Sequence, residues 1–275
     1  MTTRPDQIRP SITRRMARRI LLGAAAVAAV SLPQGLAAAG KINIPFAASN
    51  FSDPLDIDNQ FYPLVVGTQT VFKATGADGC EEFRMEVMGT RVVAGVTSRV
   101  VHDEAYEDPE CDGLNLILVE RTDDWFAQDN LGNVWYMGEA TEDCVGPANC
   151  SPGPGAWEAG VNGARAGIIM LAHPTSGDQY YQELAPGIAE DQAKVTGITI
   201  HVSLKRADAR QPSEIDGCLK TKEWTQLDTG KVEQKYYCPG VGLVAVDEHH
   251  GKRLRFELTD PAAADALRFR TVPKR

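Results

Sequence analysis

The stretch Thr122 to Glu139, TDDWFAQDNLGNVWYMGE, constrains the fold of this chain more than any other. Two runs rich in aromatic residues flank Asn130-Leu131-Gly132-Asn133, and aromatic strands bounded by Asn and Gly mark a β-hairpin. A loop of these four residues places Asp129 opposite Val134. Phe126, Gln128, Trp135 and Met137 then share one face, and Trp125, Ala127, Val134 and Tyr136 share the other. An ordinary half-exposed strand is apolar on one side only. Large aromatics on both sides mean that the hairpin is covered twice, or that one side lines a cleft. Trp125, Phe126, Trp135, Tyr136 and Met137 are therefore the candidate ligand-binding residues. The competing assignment makes Trp125 and Trp135 core.

Residues 1–39 have the organisation of an export leader. Arginines at 4, 9, 14, 15, 18 and 19 precede the apolar run Ile20 to Leu32, and Ala37-Ala38-Ala39 offers a cleavage site. The run is shorter than the roughly 20 residues that span a bilayer. Arg18-Arg19-Ile20-Leu21-Leu22 admits the twin-arginine route beside the general secretory one, and no later segment is apolar enough to cross a membrane. The expected division is a signal peptide over 1–39 and one mature β domain over 40–275, in the periplasm or outside the cell. Losing six arginines and one aspartate with the leader takes the net charge from −9 to about −14. Such a surface repels phosphate backbones and excludes nucleic acid as a partner.

Six cysteines, at 80, 111, 144, 150, 218 and 238, all follow the leader. An even number in an oxidising compartment implies a disulfide framework. Cys144 and Cys150 close a small loop containing Gly-Pro. Cys80 and Cys111 flank a hairpin turning at Ala94-Gly95, which leaves Cys218 for Cys238. In the simplest register of the following hairpin Cys238 lies opposite Thr221, three places from Cys218, so this pairing requires a bulge or a strand that begins later. No C-x-x-C pair and no nearby His supports zinc instead.

Strands are expected at Gln69–Lys73, Glu81–Val93, Val96–Tyr106, Leu114–Arg121, Gln179–Leu184 and Gly197–Lys205, with a closing meander from Cys218 to Thr259. Leu114–Arg121, LNLILVER, reads as buried on both faces. Sequential hairpins give an antiparallel sheet. No long helix is evident.

Chemistry-bearing patterns are sparse. Asp56, Asp58 and Asn59 supply part of the oxygen set that calcium requires; Asp and Asn also bond their own backbone in turns. His102 and Glu104 share a strand face and lack a third metal ligand. His249-His250 reads as a solvated turn. No nucleophile elbow and no phosphate loop is present. Acidic pairs such as Asp123-Asp124 and Glu142-Asp143 read as solvated faces. Three functions follow: a non-catalytic binding protein for an apolar or aromatic small molecule, or, alternatively, a metal-assisted hydrolase or a protein–protein interaction module. The residues imply no particular cofactor.

The pieces PLDIDN from Pro54, DWFAQDNLGNVWYMGE from Asp124, GIIMLAHPTSGDQYYQELAPGIAED from Gly167, CLKTKEW from Cys218 and YYCPGVGLV from Tyr236 together resemble an uncharacterised family of secreted bacterial proteins. That resemblance implies export and no particular activity. The last piece also resembles the closing strands of half-barrel domains of the lipoprotein-carrier type, which implies a curved sheet around an apolar cavity. The expected fold is therefore mainly β: a single antiparallel, curved sheet or half-barrel built of hairpins, with few short helices.

Overall fold

The computed structural model describes residues 40–76, 79–205, 213–250 and 252–259; the proposed leader lies outside them. Alternating apolar residues and tight turns build strands β1 (Gln69–Gly76), β2 (Gly79–Val93), β3 (Val96–Asp108), β4 (Ile117–Gln128) and β5 (Val134–Cys144). An excursion adds the short strands β6 (Cys150–Pro152) and β7 (Trp157–Glu158). Next come β8 (Arg165–Met170), β9 (Gln179–Tyr181), β10 (Glu183–Leu184) and the long β11 (Asp191–Leu204). The closing meander is β12 (Ser213–Thr225), β13 (Val232–Cys238), β14 (Gly242–His250) and β15 (Lys252–Leu258). The single helical piece among the described residues is a 3₁₀ turn at Ala48–Asn50.

All fifteen strands belong to one sheet, in the order β10-β8-β5-β4-β3-β2-β1-β15-β14-β13-β12-β11-β9, with β6 and β7 added on β5. Its two ends, β10 and β9, are neighbours in the chain. The segment 179–184 pairs with β11 through Tyr180 and Tyr181, passes Gln182, and then pairs with β8 through Glu183 and Leu184. The sheet thus goes beyond a half-barrel and nearly closes on itself. Gly167 on β8 makes the junction possible: a Cβ there would lie 2.1 Å from the carbonyl oxygen of Gln182. Bulges between Val87 and Thr90, between Ala105 and Tyr106, and at three places along β11 bend the strands into the curve.

Residues 40–68 form a strap across one end of the barrel. Ile42 N–H donates to Gln179, Gln128 N–H to Pro54, Gly240 N–H to Gln60 and Gly67 N–H to Val87. The strap carries Phe46 and Phe51 against the outer face of Trp135, with centroids at 5.5 and 5.9 Å.

Three expectations are corrected. The strand expected from Leu114 starts at Ile117; Leu114 is 83% exposed and Ile117 41%, so LNLILVER is not buried on both faces. Asp108 and Asp112 side chains hold residues 112–115 in a turn by accepting their backbone N–H groups. The central hairpin has a five-residue loop, pairing Gln128 with Val134 and Phe126 with Tyr136. A bulge after Trp125 then sets Trp125 opposite Gly138. Gly138 has φ +139°, and a Cβ on it would come within 2.4 Å of the Trp157 carbonyl oxygen. In the hairpin of β12 and β13, β12 ends at Thr225, so Trp224 faces Val232 and Leu219 faces Tyr237. This longer loop removes the three-residue offset, and Cys218 and Cys238 are bonded with Cα atoms 4.2 Å apart. Cys80–Cys111 and Cys144–Cys150 are the other two disulfides.

Candidate functional site in the barrel lumen

The period-two alternation of the strands turns one face of the sheet inward around a cavity of about 190 Å³. One side of its wall is apolar: Phe72, Phe83 and Met85 from β1 and β2, Leu243 and Val246 from β14, and Phe256 from β15. The opposite side is acidic. Asp103 comes from β3, Glu120 and Asp124 from β4, and Glu139 from β5, with Thr122 and Thr141 between them. Each is two residues from another inward side chain on its strand, so the pleat alone brings them together. Tyr62 reaches in from the strap, 5.4 Å from the Phe126 ring and 6.2 Å from Tyr237.

The hairpin joins the two sides. Phe126 and Tyr136 are stacked at 4.9 Å and an interplanar angle of 19°, and both line the lumen. The Tyr136 phenol is hydrogen-bonded to Asp124 and lies 3.1 Å from Glu139 Oε2. Trp157 meets the same ring edge-on at 5.4 Å.

The carboxyl of Asp103 is held well above the ordinary carboxylate range, first by burial, then by the charge and hydrogen bond of Asp124 and the charges of Glu120 and Glu139. Its Oδ1 is buried, and no protein group donates a hydrogen bond to it. Burial, with Asp124, Asp103 and Glu223 nearby, likewise raises the Tyr62 phenol. Lys235, the cationic residue of the wall, lies 2.9 Å from Glu223 and 3.4 Å from Glu233.

Of the five aromatic and sulfur candidates, Phe126 and Tyr136 reach the lumen. Trp135 packs outward under the strap, its indole N–H bonded to Asp129. Trp125 packs against Arg91, whose guanidinium sits 4.1 Å from its ring, and Met137 is fully buried. The metal candidates do not converge. Asn59 donates to the carbonyls of Gly132 and Leu171, Asp58 accepts from Gln128, and Asp56 is exposed. Outside the barrel, His102 Nδ1 lies 2.6 Å from Asp123 Oδ1, and its Nε2 is 3.8 Å from Glu104. Among the described residues no three His, Cys, Asp or Glu side chains are grouped to hold a metal ion.

The lumen carboxylates were the residues that sequence reasoning missed. In the pair Asp123-Asp124 only Asp123 is on the outer face; Asp124 is 8% exposed and points in. The signal was present as alternation: Asp103-x-Ala105, Glu120-x-Thr122-x-Asp124 and Glu139-x-Thr141 each place an acid in phase with small inward residues.

No family model matches the chain, and no curated protein matches it. Two solved structures are similar. One is an exported protein with a YmcC-like fold from Bacteroides fragilis, 11% identical, with 73% of this chain and 98% of that chain covered and a TM-score of 0.39. The other is a lipoprotein from Parabacteroides distasonis, 12% identical, with 74% and 98% covered and a TM-score of 0.35. The fold itself is a nearly closed antiparallel barrel. Its three disulfides are those of a protein that matures in an oxidising compartment.

Proposed function

We propose that this is a secreted or periplasmic binding protein that holds a small, mainly apolar or aromatic molecule inside its barrel. The observation that supports the reading most is the lumen, about 190 Å³ and walled by Phe72, Phe83, Phe126, Tyr136, Leu243 and Phe256. Ligand sites are concave and mostly apolar, with a few converging polar groups. An engineered apolar cavity of about 150 Å³ takes one benzene, so this volume suits a single ring with a short tail.

Native mass spectrometry of the purified protein tests the reading, alongside thermal shift with added ethylbenzene. Ala105 and Leu243 line the lumen, and Ala105→Phe and Leu243→Trp fill it in two independent ways. The expected result is a bound mass recovered in solvent extracts, or stabilisation by ethylbenzene, and its loss in whichever filled variants fold. A bare wild-type spectrum together with no response to ethylbenzene overturns the reading.

A further inference from the structure

The acidic half of the lumen says what an apolar ligand must also carry. We propose that the lumen recognises a protonated amine, with Asp103 and Asp124 holding the ammonium group and the Phe126 and Tyr136 rings carrying the apolar body. This rests on the lumen being a ligand site, and it names the class of ligand.

Three observations lead there. The first is charge. Asp103, Glu120, Asp124, Glu139 and Glu233 line the cavity against Lys235, whose ammonium is already in contact with Glu223 and Glu233. An anion entering this space meets net repulsion. The second is the state of Asp103. Asp103 lines the cavity, and its buried Oδ1 receives no hydrogen bond from the protein. Buried polar atoms are nearly always paired, so this carboxyl is one donor short, and an N–H on a ligand is the kind of group it lacks. The third is geometry. Among the described residues no three acidic, His or Cys side chains are grouped for a metal, which favours an organic cation over a divalent ion. The stacked pair Phe126 and Tyr136 lies beside the carboxylates, since Tyr136 is hydrogen-bonded to Asp124. Aromatic faces attract ammonium groups as well as apolar surface.

Burial and the neighbouring charges favour the protonated form of Asp103, and an ammonium beside it favours the ionised one. The groups facing Asp103 are Asp124 and Glu120 from β4, Glu139 from β5 and Tyr62 from the strap, with the uncharged Met85 opposite on β2. Binding therefore releases a proton, and affinity rises with pH.

The experiment is calorimetric titration of the mature protein with 2-phenylethylamine and its uncharged isostere 2-phenylethanol, for wild type, Asp103→Asn and Asp124→Asn. The amine is expected to bind about tenfold tighter than the alcohol, the worth of a charge-assisted hydrogen bond. Either substitution should close that gap and leave the alcohol within about twofold. The amine's affinity should rise with pH while the amine stays protonated, and the alcohol's should not. If the alcohol binds as tightly as the amine, or the gap survives both substitutions, the amine is not held by this pair, while the apolar lumen stands. Displacement of the amine by stoichiometric calcium or zinc makes the acids a metal site and also overturns the inference. If neither probe binds, the amine inference falls, and the lumen reading is decided separately by the solvent extracts and ethylbenzene.

Discussion

Asp129 accepts the indole N–H of Trp135 at 2.9 Å from within the turn that reverses the central hairpin. The same carboxylate accepts the backbone N–H groups of Leu131 and Asn133 and the side-chain amide of Asn133, each at 2.9 Å. Asp129 is 6% exposed and ties together Leu131, Gly132 and Asn133, its own carbonyl accepting the Gly132 N–H. Asp129→Ala leaves these donors buried without an acceptor and should cost about 3 kcal/mol or more. Asp129→Asn should cost nearly as much, because its amide presents hydrogens to donors. Urea denaturation followed by tryptophan fluorescence measures both. A loss below about 0.5 kcal/mol, the range of an ordinary surface change, would show that the loop closes without it.

Gly167→Ala sets a side chain 2.1 Å from the Gln182 carbonyl oxygen and 2.4 Å from its carbon, both backbone atoms that cannot swing aside. The expected loss is about 3 kcal/mol or more, at the upper end of overpacking penalties. Gly89→Ala is the control, since nothing lies within 4 Å of a Cβ there. Its midpoint should stay within about 0.5 kcal/mol of wild type. Equal behaviour of the two variants would mean that β8 does not need this close approach.

Burial raises the Glu248 carboxyl to about 8, with Glu233 and Glu81 adding to the effect and Lys231 and Lys235 opposing it. Its folded value lies above its unfolded one, so its contribution is fully present below about pH 4.5 and is lost as pH rises toward 8. Glu248→Gln cannot ionise. It should match wild type in urea near pH 4 and exceed it by at least ~1 kcal/mol at pH 8. A variant that is less stable than wild type at pH 8 would instead make Glu248 an ionised partner of the two lysines.

Much of the sheet was legible because strand and turn chemistry act locally. The Ala94-Gly95 turn pairs Val93 with Val96 as its sequence implies. Register was harder to read. Asp129 takes one residue more into the loop than Asn and Gly alone suggest, and this moves Tyr136, rather than Met137, opposite Phe126. The lumen was harder still. Hydrophobic periodicity finds the inward face when it is apolar, but here β3, β4 and β5 turn carboxylates inward, and those positions mimic a solvated face. Only the nearly closed circle, completed downstream where Gly167 meets Gln182, distinguishes an acid facing water from an acid facing a cavity.

The junction at 179–184 has a further consequence. A strand edge already paired cannot take up a second molecule, and free edges are where extended proteins begin to aggregate. Here six residues, three paired with β11, two with β8 and Gln182 between, cover part of both end strands at once. Peeling them away lengthens the unpaired edge of two strands in one step. Part of the resistance to self-association is thus held in one short clasp, and the negative surface charge adds to it when that clasp is open.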